Sequence, residues 1–194
     1  MKQLTKIFAI LIVLASANFA QNEWSFDPTH TSIGFNVTHL VITEVDGKFK
    51  SFDGKIVAKD DTFEDAKISF TADVNSIDTE NEKRDAHLRG EDFFNAEKFP
   101  KLSFEGKSFE KVGEKKYVLT GDLTMRGVTK EVKLDVKMNG IVTDPWGNTK
   151  AGFHISGALN RFDYGLNWNA LMEAGGAVVS KEVDLDMNIQ LVKK

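Results

Sequence analysis

From Val183 to Leu191 every second residue is apolar: Val183, Leu185, Met187, Ile189 and Leu191 alternate with Asp184, Asp186, Asn188 and Gln190. An extended chain turns successive side chains to opposite faces, so this period of two demands a strand with one buried face. The same period runs through Ile33, Phe35, Val37 and His39, then Ile68, Phe70, Ala72 and Val74, then Tyr117, Leu119, Gly121, Leu123 and Met125. It returns in Val128, Val132, Leu134, Val136 and Met138, and in Ala151, Phe153, Ile155, Gly157 and Leu159. Leu102, Phe104 and Gly106 add a strand after Pro100. Val45, Gly47 and Phe49 lie on odd positions, whereas Phe52, Gly54, Ile56 and Ala58 lie on even ones. That slip at Lys50-Ser51 predicts a bulge or sharp bend in one long strand, with a hairpin turn at Asp46-Gly47 as the alternative. Arg126-Gly127 and Asp144-Pro145-Trp146-Gly147 mark turns.

About eight strands, each polar on one side, form an antiparallel sandwich or a closed barrel, and closure removes the exposed edges. The expected fold class is therefore all-β, with about eight antiparallel strands in a sandwich or a barrel. Ala58, Ala72, Gly106, Gly121, Ala151 and Gly157 put small residues on the apolar faces. They favour an interior that holds one ligand over a filled one. Glycines at bulges of a sandwich core would read the same way.

One segment breaks the alternation. Asp78-Thr79 is a helix cap, and Glu80 to Arg89 is predicted to be a helix ending at Gly90. Arg84 shares a face with Leu88, and Asp85 with Arg89. Phe93 and Phe94 follow at once, so a charged helix with an aromatic foot is expected to cap one end of the barrel.

The first twenty residues stand apart. Lys2 and Lys6 precede the apolar run Ile7 to Leu14, and Ala15-Ser16-Ala17 or Ala20 supplies the small residues of a cleavage site. Residues 1–20 thus read as a signal peptide cut after residue 17 or 20, with one domain over 21–194. No second long apolar run follows, so stable membrane insertion is not expected. The chain has no cysteine, which excludes disulfides, thiol chemistry and lipoprotein attachment. With Lys2 and Lys6 removed, 23 basic side chains face 29 acidic ones, a net charge of −6. Such a domain is a poor partner for nucleic acid or an anionic surface.

Few residues suggest chemistry. Asp85 and His87 are two apart and point about 160° apart on a helix, so they form no obvious dyad. No G-x-S-x-G elbow, phosphate loop or H-E-x-x-H is present. His30, His39, His87 and His154 show no metal-ligand spacing, so no metal and no cofactor is implied. His39 ends an apolar row, where a barrel rim is expected. In Asn160-Arg161-Phe162-Asp163-Tyr164-Gly165, Arg161 and Asp163 are either a local pair at a strand end or a head-group anchor at a pocket mouth.

Taken together these stretches resemble one family, the YceI-like proteins, over Trp24 to Val192. The resemblance rests on Trp24-Ser-Phe-Asp27, Thr29-His-Thr-Ser-Ile-Gly-Phe35, Val45-Asp-Gly-Lys-Phe49 and Phe52-Asp-Gly54. It continues in Arg84-Asp-Ala-His-Leu88, Asp92-Phe-Phe94, Phe99-Pro100, Phe104, Gly121-Asp-Leu-Thr-Met-Arg-Gly-Val-Thr-Lys130 and Asn160-Arg-Phe-Asp-Tyr-Gly165. It implies an eight-stranded antiparallel β-barrel of extended lipocalin type with one short capping helix, in the periplasm or secreted, that holds a long apolar ligand. The ligand would be a polyisoprenoid, an isoprenoid quinone precursor or another amphiphilic lipid, carried without catalysis. A lipid-modifying enzyme using the same cavity and a stress-related interaction protein with a filled barrel are the alternatives. A homodimer is compatible with the sequence.

Phe35, Val37, Phe70, Leu88, Phe93, Phe94, Phe153, Ile155, Gly157, Leu185 and Met187 are the expected cavity lining. His39, Arg161 and Asp163 are the expected mouth and head-group contacts. His30, Arg84, Asp85 and His87 are expected to be structural. Arg161 beside Asp163, and Arg84 beside Asp85, read as arginines held by a neighbouring carboxylate. The family pattern is departed from after Gly165, where Asn167 to Gly176 is loop-like and sits where it would reshape the mouth.

Overall fold

The computed structural model describes residues 21–171 and 177–194, so the expected signal peptide lies outside the described residues. Eleven strands follow in order: β1 (Asn22–Phe26), β2 (Ser32–His39), β3 (Thr43–Phe49), β4 (Phe52–Ala58), β5 (Lys67–Asp73), β6 (Ile77–Asp78), β7 (Lys101–Gly113), β8 (Lys116–Met125), β9 (Val128–Thr143), β10 (Thr149–Asn160) and β11 (Glu182–Lys193). Among the described residues one α-helix, α1 (Glu82–Arg89), lies between β6 and β7. Single 3-10 turns cover Val74–Ser76 and Arg161–Tyr164.

Every pairing is antiparallel, and β1 pairs with both β4 and β11, which closes the sheet. Three of the eight staves are broken strands. β1 and β2 share the neighbour β11, while β3 meets β2 and β6, and β4 meets β1 and β5. The result is an eight-stranded antiparallel barrel, the closed one of the two arrangements that the alternation allows.

The bends are held by backbone hydrogen bonds and the Ser76 hydroxyl. Lys50 N–H donates to the Ser76 carbonyl at 3.1 Å, and Ser51 N–H to Ser76 Oγ at 2.9 Å. Asp73 N–H returns to the Ser51 carbonyl at 2.9 Å. The β3/β4 and β5/β6 breaks therefore lie at one level, where each supplies the ladder bonds the other loses. The hairpin alternative at Asp46-Gly47 is not adopted: both residues sit inside β3, opposite Asn36 and Phe35. The turn falls instead at Leu40-Val41-Ile42. β7 runs to Gly113 because a bulge between Gly106 and Ser108 resets its phase. That reset hid Phe109 from the alternation.

The barrel has two unlike ends. The β7–β8 and β9–β10 hairpins, the start of β1 and the end of β11 lie at one end, which is closed by a buried aromatic floor. Trp24 and Phe63 have ring centroids 5.0 Å apart, Phe63 and Phe153 5.0 Å, and Phe109 and Tyr117 4.7 Å. Each such ring taken fully out of water stabilises the fold by about 1.5–3 kcal/mol. The β2–β3 turn, α1, the β8–β9 turn and the segment after Asn160 lie at the other end.

α1 is two residues shorter than predicted. Glu80 has φ of +62° and stays outside the helix, and Asn81 caps it, its side-chain oxygen accepting from Arg84 N–H at 3.0 Å. Gly90 ends it, as expected.

Candidate ligand-binding cavity

The barrel encloses a cavity of about 380 Å³ that reaches the α1 end. Its walls are apolar from Ile56, Phe63 and Leu191 near the floor, through Phe70, Phe104, Phe153 and Met187, to Val37, Val45, Leu88 and Phe93 near the opening. A space with this lining is of the kind that buries an apolar ligand.

Ten of the eleven residues expected to line the cavity do so: Phe35, Val37, Phe70, Leu88, Phe93, Phe94, Phe153, Ile155, Leu185 and Met187. Gly157 does not. A Cβ there would come within 2.7 Å of Leu134 Cδ2, so the Leu134 side chain already covers it. β9 and β10 pair only as far as Asp135 and Ser156, and Leu134 leans across the gap beyond. Gly47 and Gly121 behave alike, with the rings of Phe35 and Phe104 resting on them. The small residues are seats for large cross-strand neighbours. They do not make the empty space, although the space exists.

The opening carries the polar groups. Thr79, Arg84, His87, His39, Arg161 and Trp168 all border it. Thr79 is buried, and its N–H and hydroxyl donate to Asp85 Oδ1 at 2.9 and 2.6 Å. Arg84 donates from Nε to Thr79 Oγ1 at 2.7 Å and from Nη2 to the Thr79 carbonyl at 2.5 Å. Arg84 is exposed, and its Nη1 has no partner among the described residues. Asp85 is thus bound to Thr79 and not to Arg84, which corrects the expected Arg84–Asp85 pair. Its N-terminal position on α1 suits a carboxylate.

Arg161 also differs from expectation. It is 3% exposed and donates to four carbonyls: Ser180 from Nε at 2.8 Å, Leu166 and Trp168 from Nη1, and Val179 from Nη2 at 3.3 Å. Burial pushes its guanidinium below the ordinary arginine pKa. Asp163 plays no part: it is exposed, accepts from Asn160 Nδ2 at 3.4 Å, and borders a separate polar cleft with Lys130, Lys133 and Tyr164. The expected Arg161–Asp163 pair is therefore absent, and Asp163 lies away from the cavity. The reason is competition: four carbonyls of a chain reversal offer a buried cation more acceptors than one solvated carboxylate does.

His87 packs edge-on to Phe93 and Trp168, with centroids 5.0 and 5.3 Å apart, and its Nε2 lies 3.2 Å from Asp92 Oδ2. His39 bridges to Val179 across the rim. His30 lies away from the cavity, its Nδ1 3.0 Å from Asp27 Oδ2. There Asp27 also accepts from Thr29 and Gln190 and ties the β1–β2 bend to β11. Trp168 and Thr79 are mouth residues that sequence reasoning missed. Trp168 sits in a non-repeating loop and Thr79 reads in sequence as a helix cap; only the loop's return across α1 brings them to one opening. Among the described residues no three His, Asp or Glu side chains converge as a metal site, and no helix is long and apolar enough to cross a membrane.

A YceI-like domain model matches residues 24–191. A UPF0312 protein of Staphylococcus aureus is 38% identical over 168 residues, covering 86% of this chain and 95% of that one. Another from Photorhabdus laumondii is 37% identical over 186 residues, covering 96% and 93%. Among solved structures, the Campylobacter jejuni YCEI protein aligns with a TM-score of 0.70 at 32% identity, covering 87% and 96%. A polyisoprenoid-binding domain from Saccharophagus degradans shares the fold, with a TM-score of 0.66 at 16% identity, covering 88% and 98%.

Proposed function

This chain belongs to the YceI-like family, and we propose that it is a non-catalytic carrier of one long apolar lipid in the periplasm or outside the cell. The observation that carries this reading is the apolar cavity of about 380 Å³ inside a closed barrel, with its polar groups gathered at one opening. A closed barrel satisfies its own backbone hydrogen bonds, so its interior can stay apolar without cost to the ladder. The name of the Saccharophagus degradans neighbour supports an isoprenoid or similar amphiphile as the ligand class. Arg84 is the best-placed head-group contact. Thr79 fixes it at the rim by accepting two of its hydrogen bonds, and the remaining guanidinium donors suit a phosphate, carboxylate or carbonyl oxygen. Arg161 instead holds the rim backbone in place.

The test is extraction of the purified protein, mass spectrometry of what is released, and titration of the stripped protein with a long-chain prenol. One lipid recovered unchanged and rebound at one per barrel supports the carrier. Turnover of the lipid, or a stripped protein that binds none, rejects it.

A further inference from the structure

The β2–β3 turn has the wrong residues for its shape. Ile42 N–H donates to the His39 carbonyl at 3.2 Å, closing a turn whose central residues Leu40 and Val41 have φ of +52° and +64°. Two consecutive left-handed residues are the geometry of a type I′ turn, which favours Asn-Gly because a Cβ is crowded there. A β-branched residue in that region is a true outlier. Here the turn carries Leu-Val-Ile, with Val41 67% and Ile42 85% exposed. The chain thus keeps a strained turn and spends it on holding large aliphatic side chains in solvent.

The position of this tip is informative. It stands at the cavity opening, where Leu40 N–H donates to the Val178 carbonyl at 2.9 Å and Val178 N–H to the Ala170 carbonyl at 2.9 Å. That ladder places Leu171, 77% exposed, on the adjoining rim. Val37, His39, Val178 and Val179 continue the surface inward to the cavity wall. No Asp, Glu, Lys or Arg occurs from Val37 to Thr43.

We propose that Val41, Ile42 and Leu171 form a docking rim that dips into the interfacial zone of a lipid bilayer and sets the cavity mouth against the acyl region. This inference rests on the carrier reading, because an apolar ligand passing between bilayer and cavity avoids water only if the mouth itself is covered. An uncharged aliphatic tip selects the bilayer by apolar burial, not by charge, so docking takes place on neutral vesicles and resists salt. The exposed Trp146 and Val112 lie on hairpins of the closed end and serve as controls.

The experiment is flotation of the full chain with neutral phosphatidylcholine vesicles at low and high salt, beside binding of a fluorescent long-chain prenol measured without vesicles. Two variants test the rim: Val41→Asn/Ile42→Asn, and Leu40→Asn/Val41→Gly, which installs the residues the turn prefers. Both are expected to lose vesicle association by roughly tenfold or more and to keep prenol binding. The second is also expected to melt at a higher temperature than the parent, since strain is relieved. Trp146→Ser is expected to float like the parent. A parent that does not float, rim variants that float as well as the parent, or loss through Trp146→Ser alone would overturn docking. So would rim variants that lose prenol binding in parallel, or a parent dimer in light scattering that the variants dissociate, which would assign the tip to a second copy. A parent that floats but binds no prenol would sink the carrier reading and leave the docking result standing.

Discussion

Arg84 gives two donors to one residue, Thr79, through Nε to the hydroxyl at 2.7 Å and Nη2 to the carbonyl at 2.5 Å. Thr79 in turn gives its own N–H and O–H to Asp85, at 2.9 and 2.6 Å. The arginine and the aspartate that adjoin in sequence are therefore linked only through a third residue. Among the described residues no carboxylate pairs with this cation at the rim. Arg84→Met is expected to weaken binding of a polyprenyl phosphate by about 1.5–3 kcal/mol, the worth of a hydrogen bond to a charged group. Binding of the uncharged prenol is expected to change less. Calorimetric titration of both ligands checks this, and an equal loss for the two would assign Arg84 a structural role.

Arg161 is expected to behave in the opposite way. Removing its guanidinium strands carbonyls of Leu166, Trp168, Val179 and Ser180. Each buried, unsatisfied acceptor costs about 1–3 kcal/mol. Arg161→Met is therefore expected to destabilise by about 3 kcal/mol or more, a fall of roughly 6–12 °C in melting temperature for a domain of this size. Thermal melts measure it. The folded fraction is expected to retain its affinity for the phosphate ligand.

Leu185 lines the cavity opposite Phe35 and Gly157. Leu185→Trp is expected to fill the space and cut prenol affinity by about tenfold or more, with the barrel still folded by far-UV circular dichroism. Gly157→Ala acts through a neighbour, driving Leu134 Cδ2 from its seat, and is expected to cost about 1–3 kcal/mol of stability. Unaltered prenol binding by Leu185→Trp would place the ligand outside the barrel.

Asp27 sets an acid limit. The Thr29 hydroxyl at 2.6 Å, His30 and Gln190 hold its carboxyl well below the usual carboxylate range, against an opposing effect of burial. A carboxyl depressed in the folded state contributes its stability fully above its unfolded pKa, near 4, and loses it as the pH falls below that value. The parent is expected to melt lower at pH 3 than at pH 7. In Asp27→Asn that difference shrinks, and the variant is less stable at pH 7 by about 1.5–3 kcal/mol. Melts of both proteins at the two pH values decide it; the same gap in each would show that Asp27 is not responsible.

The strands, their facing and closure into a barrel were legible in the sequence. Alternation at Val183–Leu191 or Tyr117–Met125 is a local property, since a period of two fixes which side chains point inward whatever the neighbours are. The bend at Lys50-Ser51 was legible for the same reason; seven of the ten lining residues followed from the alternation, and Leu88, Phe93 and Phe94 from the capping segment. The polar mouth was not. Adjacent letters suggested Arg84–Asp85 and Arg161–Asp163, but hydrogen bonds are made by proximity in space. Thr79 and the carbonyls from Leu166 to Ser180 reach the two arginines only once α1 and the chain after Asn160 fold over the same opening. Nor did Leu40-Val41 signal a turn, because its residues oppose that shape; the closing of β2 on β3 imposes it. Likewise Gly157 read as empty space, and only the gap between β9 and β10 let Leu134 occupy it. The sequence determined which faces are apolar, because that is written in single residues. The tertiary structure decided which polar group meets which, because those partners lie far apart along the chain.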